Sequence, residues 1–378
     1  MIQVLFWLAL SFIIYTYAVY PVMILLIGKC RRRSPLKSDS PSPLPSVSMI
    51  IIVYNEEDRI GPKIANCMEL EYPEEMIEIC VVSDGSTDGT NGILRDAGGI
   101  VYIEDTENHG KPYQINRAVE ATGNEILLFS DARQMYGPQS LRKLVANFRD
   151  PDVGCVSGEL VFGSTADHTG GSIGLYWTYE KLLRKAESEF DSTLGATGAI
   201  YAVRRGLFAP IPEDTILDDI EIPLQAFRKG YRVVFEPEAV AFDTVTTDIG
   251  DEFRRKVRTL AGNFQLFRRN MWLMNPLKNR IFFQTVSHKL FRLLIPYALI
   301  TVAVTSAISP GTAFKLFFWS QILCYIAGIA ALTFEGIRRV RLVNLILVFM
   351  TLNAASVTAL FHYLGGKSSV RWRREDRP

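Results

Sequence analysis

Four stretches of this chain carry no charged side chain: Ile2–Gly28, Leu293–Phe314, Leu316–Phe334 and Leu342–Leu364, the last containing His362. A helix crossing the hydrocarbon core of a bilayer needs about 20 such residues. Only helices and closed barrels satisfy their own backbone there, so each stretch is expected to be a membrane helix. The first does not read as a signal peptide, because no basic segment precedes it and no small-residue cleavage site follows. Lys29-Cys30-Arg31-Arg32-Arg33 follows instead, and a basic cluster so placed holds the next residues in the cytoplasm. The expected location is the inner (plasma) membrane, crossed several times, with the polar middle of the chain cytoplasmic.

That middle begins with Ser34–Ser46, whose Pro35, Pro41, Pro43 and Pro45 read as an extended linker. From Val47 to about Phe267, apolar runs of strand length alternate with helical stretches, a pattern of βαβ units and a mostly parallel sheet. Three runs end in acid. Val47–Val53 leads into Tyr54-Asn55-Glu56-Glu57, Glu78–Val82 into Ser83-Asp84-Gly85-Ser86-Thr87-Asp88, and Glu125–Phe129 into Ser130-Asp131-Ala132-Arg133. Charge at a strand end does nothing for a core, since it must be solvated or paired. The carboxyl edge of an open α/β sheet is where ligands bind. One such strand is a turn and helix cap; three argue for a ligand site. Helices are expected at Asp58–Leu70, Gly89–Ala97, after Gly110-Lys111, after Gly137-Pro138-Gln139-Ser140, at Tyr176–Glu187 and from Leu217-Asp218-Asp219 to Lys229-Gly230. Further strands are expected at Val153–Leu160, Ala199–Val203 and Arg232–Phe235.

The net charge of +1 provides no field for a polyanion, so nucleic acid is not an expected partner. Five scattered cysteines without CxxC spacing argue against disulfides and zinc and fit a reducing compartment. Four dispersed histidines exclude a histidine-rich metal centre.

Five motifs follow one another in order: Tyr54-Asn55-Glu56, Ser83-Asp84-Gly85-Ser86-Thr87-Asp88, Gly110-Lys111 with Asn116, Ser130-Asp131-Ala132 and Leu217-Asp218-Asp219. Through them, Val47 to about Gln265 resembles the family 2 glycosyltransferases of the membrane-anchored bacterial polysaccharide-biosynthesis branch. The resemblance implies an α/β GT-A (nucleotide-diphospho-sugar transferase) domain with a mostly parallel sheet, between N-terminal and C-terminal transmembrane helices. The implied plan is a transmembrane helix at 1–28, a basic Pro-rich linker at 29–46 and a cytoplasmic glycosyltransferase domain at 47–270. An interfacial amphipathic segment at 271–292, transmembrane helices at 293–366 and a basic tail at 367–378 complete it. In the interfacial segment Arg280, Lys289 and Arg292 flank Phe282, Phe283, Leu290 and Phe291.

The resemblance further implies a nucleotide-sugar donor, usually a UDP-sugar, bound by Tyr54, Glu56, Asp84, Lys111, Asp131, Arg133 and Arg258. Glu56 and Asp84 would accept hydrogen bonds from base and ribose. Lys111 would face the phosphates or the sugar, where a bland reading makes it a solvated surface lysine. Asp131 matches the first acid of the family's DxD metal motif, which implies Mg²⁺ or Mn²⁺. Arg133 stands where the second acid belongs; it cannot ligate a metal but can pair with a diphosphate. Asp219 matches the catalytic base, with Asp218 a helper or helix cap, for an inverting attack by the acceptor hydroxyl. Thr197 and Gly198 resemble the acceptor side. Arg258 matches the arginine of the Gln-x-x-Arg-Trp motif of processive members, and Thr259 replaces its tryptophan. The acceptor is expected to be a polysaccharide precursor or a lipid-linked sugar, with membrane lipids as further partners of Arg254, Arg268 and Arg269. Two rivals stand beside this reading: a processive synthase coupled to secretion, and a silent family member acting as membrane partner or sugar-nucleotide sensor.

One expectation concerns topology. The basic tail (Lys367, Arg371, Arg373, Arg374, Arg377) and the loop Arg338-Arg339-Val340-Arg341 both prefer the cytoplasm. A kinked or re-entrant hairpin at Leu342–Leu364, around Asn353 and Ala354-Ala355-Ser356, would keep both inside and is favoured over a plain crossing.

Overall fold

Val47–Val53 (β1) has the sequence VSMIIIV, and all seven residues are buried, as expected of a strand covered on both faces. In the computed structural model, which describes residues 1–37, 43–163, 170–243 and 249–366, it lies in an eight-stranded sheet. The other strands are β2 (Ile77–Asp84), β3 (Ile100–Asp105), β4 (Ile126–Ser130), β5 (Met135–Tyr136), β6 (Val153–Phe162), β7 (Ile200–Arg204) and β8 (Arg232–Asp243). Their order is β3-β2-β1-β4-β7-β6-β8-β5. β1 runs parallel to β2 and β4, β2 to β3, and β6 to β8, while β7 is antiparallel to β4 and β6 and β5 to β8. Helices α1 (Glu57–Met68), α2 (Thr90–Asp96), α3 (Lys111–Ala121), α4 (Ser140–Ala146) and α5 (Asp218–Arg228) belong to the same unit. The apolar face of α1, with Ile60, Ile64 and Cys67, joins Met49, Ile51, Val81 and Leu128 in the core. Each such side chain contributes about 1.5–3 kcal/mol on burial.

Three strands differ from expectation. β3 and β5 were not legible, and β8 runs on to Asp243 instead of stopping before Pro237. Between Ser157↔Phe235 and Glu159↔Val240 the β6–β8 register shifts, so β8 bulges through Pro237 and then resumes pairing.

The chain divides into two compact units. Arg32–Gly163 and Ser188–Thr247 form the sheet unit; Met1–Arg31, Ser164–Glu187 and Asp248–Ser368 form the helical unit. The start of the linker is docked on the sheet unit. Arg33 N donates to Glu189 O (2.7 Å), its guanidinium meets Asp152 (2.6 Å), and Lys37 meets Glu236 (2.6 Å). The fully buried Arg232 donates to Arg33 O (2.7 Å) from beneath.

In the helical unit, Ile2–Cys30, Phe282–Ile308, Thr312–Thr333 and Arg341–Leu364 are long and apolar enough to cross a membrane. Phe282–Ile308 is one continuous helix, so the end of the expected interfacial segment is the start of a candidate span. His288 and Arg292 turn inward there, onto Glu187 and Glu180 of the Gly170–Phe190 helix. The expected hairpin is also corrected: Arg341–Leu364 is a single 24-residue helix. Its small residues serve close packing. Ala355 and Ala359 meet Val257 and Ala261 of the Ile249–Arg269 helix, and Ser356 Oγ donates to Leu293 O (3.2 Å). Asn353 satisfies its amide on Phe349 O (2.8 Å) within the helix. The tail from 367 lies outside the described residues.

Candidate active site

The carboxyl ends of β1 and β2 are locked together by one strained residue. Asn55 stands at φ 57°, a conformation that asparagine tolerates better than most side chains. From there its Oδ1 accepts from Thr87 N (2.7 Å) and Asp88 N (3.3 Å), while its own N donates to Ser86 Oγ (3.0 Å). Tyr54 is half-buried beside it. Glu56 N is held by Thr90 Oγ1 (2.8 Å), and its carboxylate pairs with Arg59 (3.2 Å). Burial raises the Glu56 carboxyl above the ordinary 4.5, against the opposing pull of Arg59.

Asp84, at the tip of β2, is fully buried. Its carboxylate accepts from His109 N (2.9 Å), Gly110 N (2.9 Å) and Gln114 Nε2 (2.8 Å). It therefore shapes the turn that opens α3. The segment before that turn packs on Gly85, where φ is +71° and a Cβ would stand 2.6 Å from the carbonyl carbon of Glu107. Gln114 and its second partner Asp105 (2.9 Å) were not singled out by sequence. Asn116, from the Gly-Lys motif, exchanges two hydrogen bonds with Ile211 (2.8 and 3.0 Å) and so fixes the segment that leads to Asp218.

Lys111, the first residue of α3, is where the motifs meet. Its Nζ lies 2.9 Å from Asp131 Oδ1 at the end of β4 and 3.2 Å from Asp218 Oδ2 at the start of α5. Burial alone would lower its pKa, yet Asp131, Asp218 and Asp219 together hold it well above the ordinary lysine value. The Lys111 side chain is 14% exposed and that of Asp131 39%, so the cluster opens at Asp131. Asp218 and Asp219 occupy the first turn of α5, where the helix N-terminus favours negative charge. Asp219 is half-buried, and its carbonyl accepts from Ala196 N (2.8 Å). A Cβ at Gly198 would lie 3.2 Å from Asp219 Oδ2, so the glycine leaves the space beside this carboxylate open. Thr197 is positioned by Ser157, whose Oγ accepts from Thr197 N (2.9 Å).

Arg133 is half-buried and already paired. Its guanidinium meets Asp243 Oδ2 at 2.6 Å, at the end of the stretch of β8 that sequence did not anticipate. Arg258 and Thr259 lie exposed on the Ile249–Arg269 helix of the helical unit, where Thr259 Oγ1 returns to Arg255 O (3.0 Å). Among the described residues, no three histidine, cysteine or acidic side chains converge as a metal-ligand set. Asp131, with Oδ1 on Lys111 and its side chain partly exposed, is a fitting oxygen ligand for a hard cation.

Residues 48–210 match the family model described as glycosyl transferase family 2. Poly-beta-1,6-N-acetyl-D-glucosamine synthase of Staphylococcus aureus (strain MSSA476) is 22% identical over 260 residues, covering 67% of this chain and 60% of that protein. The synthase of the same name from Staphylococcus epidermidis is 21% identical over 248 residues, covering 64% and 60%. The chain thus spans about 60% of the length of the curated relatives it matches. Mannosyltransferase PcManGT from Pyrobaculum calidifontis, solved in complex with GDP-Man and Mn²⁺, superposes with a TM-score of 0.73. It is 22% identical, and the match covers 96% of this chain and 99% of that one. At that identity the likeness is one of fold.

Proposed function

We propose that this chain, whose residues 48–210 match the glycosyl transferase family 2 model and which has the α/β GT-A fold, is an inverting, membrane-bound family 2 glycosyltransferase. It moves a sugar from a nucleotide-diphosphate donor, a UDP-sugar, to a polysaccharide precursor or lipid-linked acceptor on the cytoplasmic face of the inner (plasma) membrane. The carrying observation is one half-buried ammonium, Lys111, gathering Asp131, Asp218 and Asp219 from a strand end and a helix start into one open cluster.

In this reading Asp219 is the base. It takes the proton of the acceptor hydroxyl as that oxygen attacks the anomeric carbon, and the bond to the diphosphate breaks on the opposite side with its electron pair leaving on UDP. Gly198 leaves the acceptor room beside Asp219. Lys111 faces the diphosphate, and Asp84 acts by fixing the turn from which Lys111 projects. Glu56 and Tyr54 border the donor side. Three carboxylates lie around Lys111, and a diphosphate would bring further negative charge to them. Asp131 would hold Mg²⁺ or Mn²⁺, whose charge offsets that of the leaving group when it is bound. The name of the staphylococcal relatives supports a polysaccharide product, and the GDP-Man of the mannosyltransferase makes a guanine nucleotide the rival donor.

The test is nucleotide release from a panel of UDP- and GDP-sugars, with Mn²⁺, with Mg²⁺ and in excess chelator. Release from a UDP-sugar that chelator abolishes is expected. Release from no donor contradicts the enzyme, and full activity in chelator contradicts the cation. The length of the product then separates single transfer from processive synthesis.

A further inference from the structure

The loop from β4 to β5, which carries Asp131, is held from behind by two charges that solvent does not reach. Arg133 Nη2 and Gln134 Nε2 both donate to Asp243 Oδ2, at 2.6 and 2.8 Å, and the Asp243 side chain is 0% exposed. On the other side Lys63 of α1, also 0% exposed, donates to Gln134 O at 2.6 Å and lies 4.0 Å from the centre of the Tyr136 ring. Asn66 completes the hold, exchanging hydrogen bonds with Tyr136 at 3.0 and 2.7 Å. Enclosing charge in this way is expensive, and apolar packing would secure a short loop as well. What the ionic version adds is a fixed geometry two residues from Asp131.

We infer that Arg133 and Asp243 are positioning residues for the transfer reaction: their ion pair sets where the Asp131 carboxylate stands, and Arg133 acts on the donor through Asp131 without touching its diphosphate. This rests on the reading that Lys111 and Asp131 face the diphosphate. Arg133 has the right charge for direct contact, but its guanidinium is already engaged by an acid buried behind the loop.

The experiment compares full-length protein in detergent with Arg133→Ala, Asp243→Asn and the double variant, reading kcat, donor KM, UDP affinity and Tm. Each single variant is expected to lower Tm and to cut kcat about 10- to 100-fold, the scale of a misplaced reacting group. UDP affinity should shift alike in both, by no more than about threefold. The double variant removes both charges of the pair and should recover most of the Tm, while kcat stays low. Recovery of kcat along with Tm would make the pair merely structural and overturn the inference. So would a loss of UDP affinity of about tenfold or more in Arg133→Ala that Asp243→Asn does not share. If the single variants fail to fold, kcat of the double variant decides alone. Lys111→Ala guards the underlying reading: unchanged UDP affinity and transfer there would overturn the site itself, whatever the pair does.

Discussion

Each unit encloses a cluster of charges, and the two are built on opposite plans. In the helical unit, Glu187 Oε1 accepts from Tyr20 Oη (2.5 Å) and faces His288 Nδ1 (2.6 Å), while Glu180 faces His288 Nε2 (3.1 Å) and Arg292. Glu180, Glu187 and His288 are all buried. Burial would raise Glu180, but Arg292 and His288 hold it well below the usual carboxylate range. The cluster is sealed, which suits a clamp between the Gly170–Phe190 helix and the Phe282–Ile308 helix, here at a π-helical turn. In the sheet unit Lys111 is flanked by Asp131, Asp218 and Asp219, and the cluster opens at Asp131. A sealed cluster holds a fold; one that opens to solvent is where the proposed function places a charged ligand.

The contrast is broken most directly in the sealed cluster. Glu187→Ala leaves the Tyr20 hydroxyl and the His288 ring without their shared acceptor and should cost about 3–5 kcal/mol of stability, the scale for removing one member of a buried ionic group. Thermal unfolding in detergent measures it, and UDP affinity should be unaffected; lost affinity at unchanged Tm would put the ligand in the wrong unit. Gly198→Ala tests the open cluster more gently. The new methyl would press on Asp219 Oδ2 at 3.2 Å and should lower kcat about tenfold at unchanged Tm. An unaltered kcat would mean that the space beside Asp219 is not used.

The smallest effect is a pH slope. Because the folded protein raises the Glu56 carboxyl, the native state keeps that proton where the unfolded chain has released it. Ionising Glu56 therefore costs the native state, and its contribution to stability falls as pH rises above 4.5. Glu56→Gln should remove that part of the slope. Parallel Tm–pH profiles of variant and wild type would contradict the burial argument.

What could be read in the sequence was local. VSMIIIV at β1 and the acid-tipped ends of β2 and β4 announce themselves because an uninterrupted apolar run and an abrupt polar turn lie in adjacent residues. β3, with the sequence IVYIED, is only half-buried at the edge of the sheet and mixes charge into its run. Pro237 signalled the end of a strand, yet a bulge absorbs it, and Asp243 was lost to view with the rest of β8. Sequence also marked Asp84 and Asp131 alike as strand-end acids. It could not say that Asp84 is consumed by the backbone of His109 and Gly110 while Asp131 stays partly open, because those partners are set by how α3 returns to the sheet. The same holds for Arg133, whose partner lies 110 residues away.

The central claim is that Asp219, in the Lys111 cluster, is the base of a glycosyl transfer. Transfer and UDP binding measured side by side in Asp219→Asn and Asp218→Asn test it. Asp219→Asn keeps the shape of the side chain and should retain UDP binding and Tm while lowering transfer about 100-fold or more, with Asp218→Asn the milder of the two. Near wild-type transfer in Asp219→Asn, together with its loss in Asp218→Asn, would contradict the account.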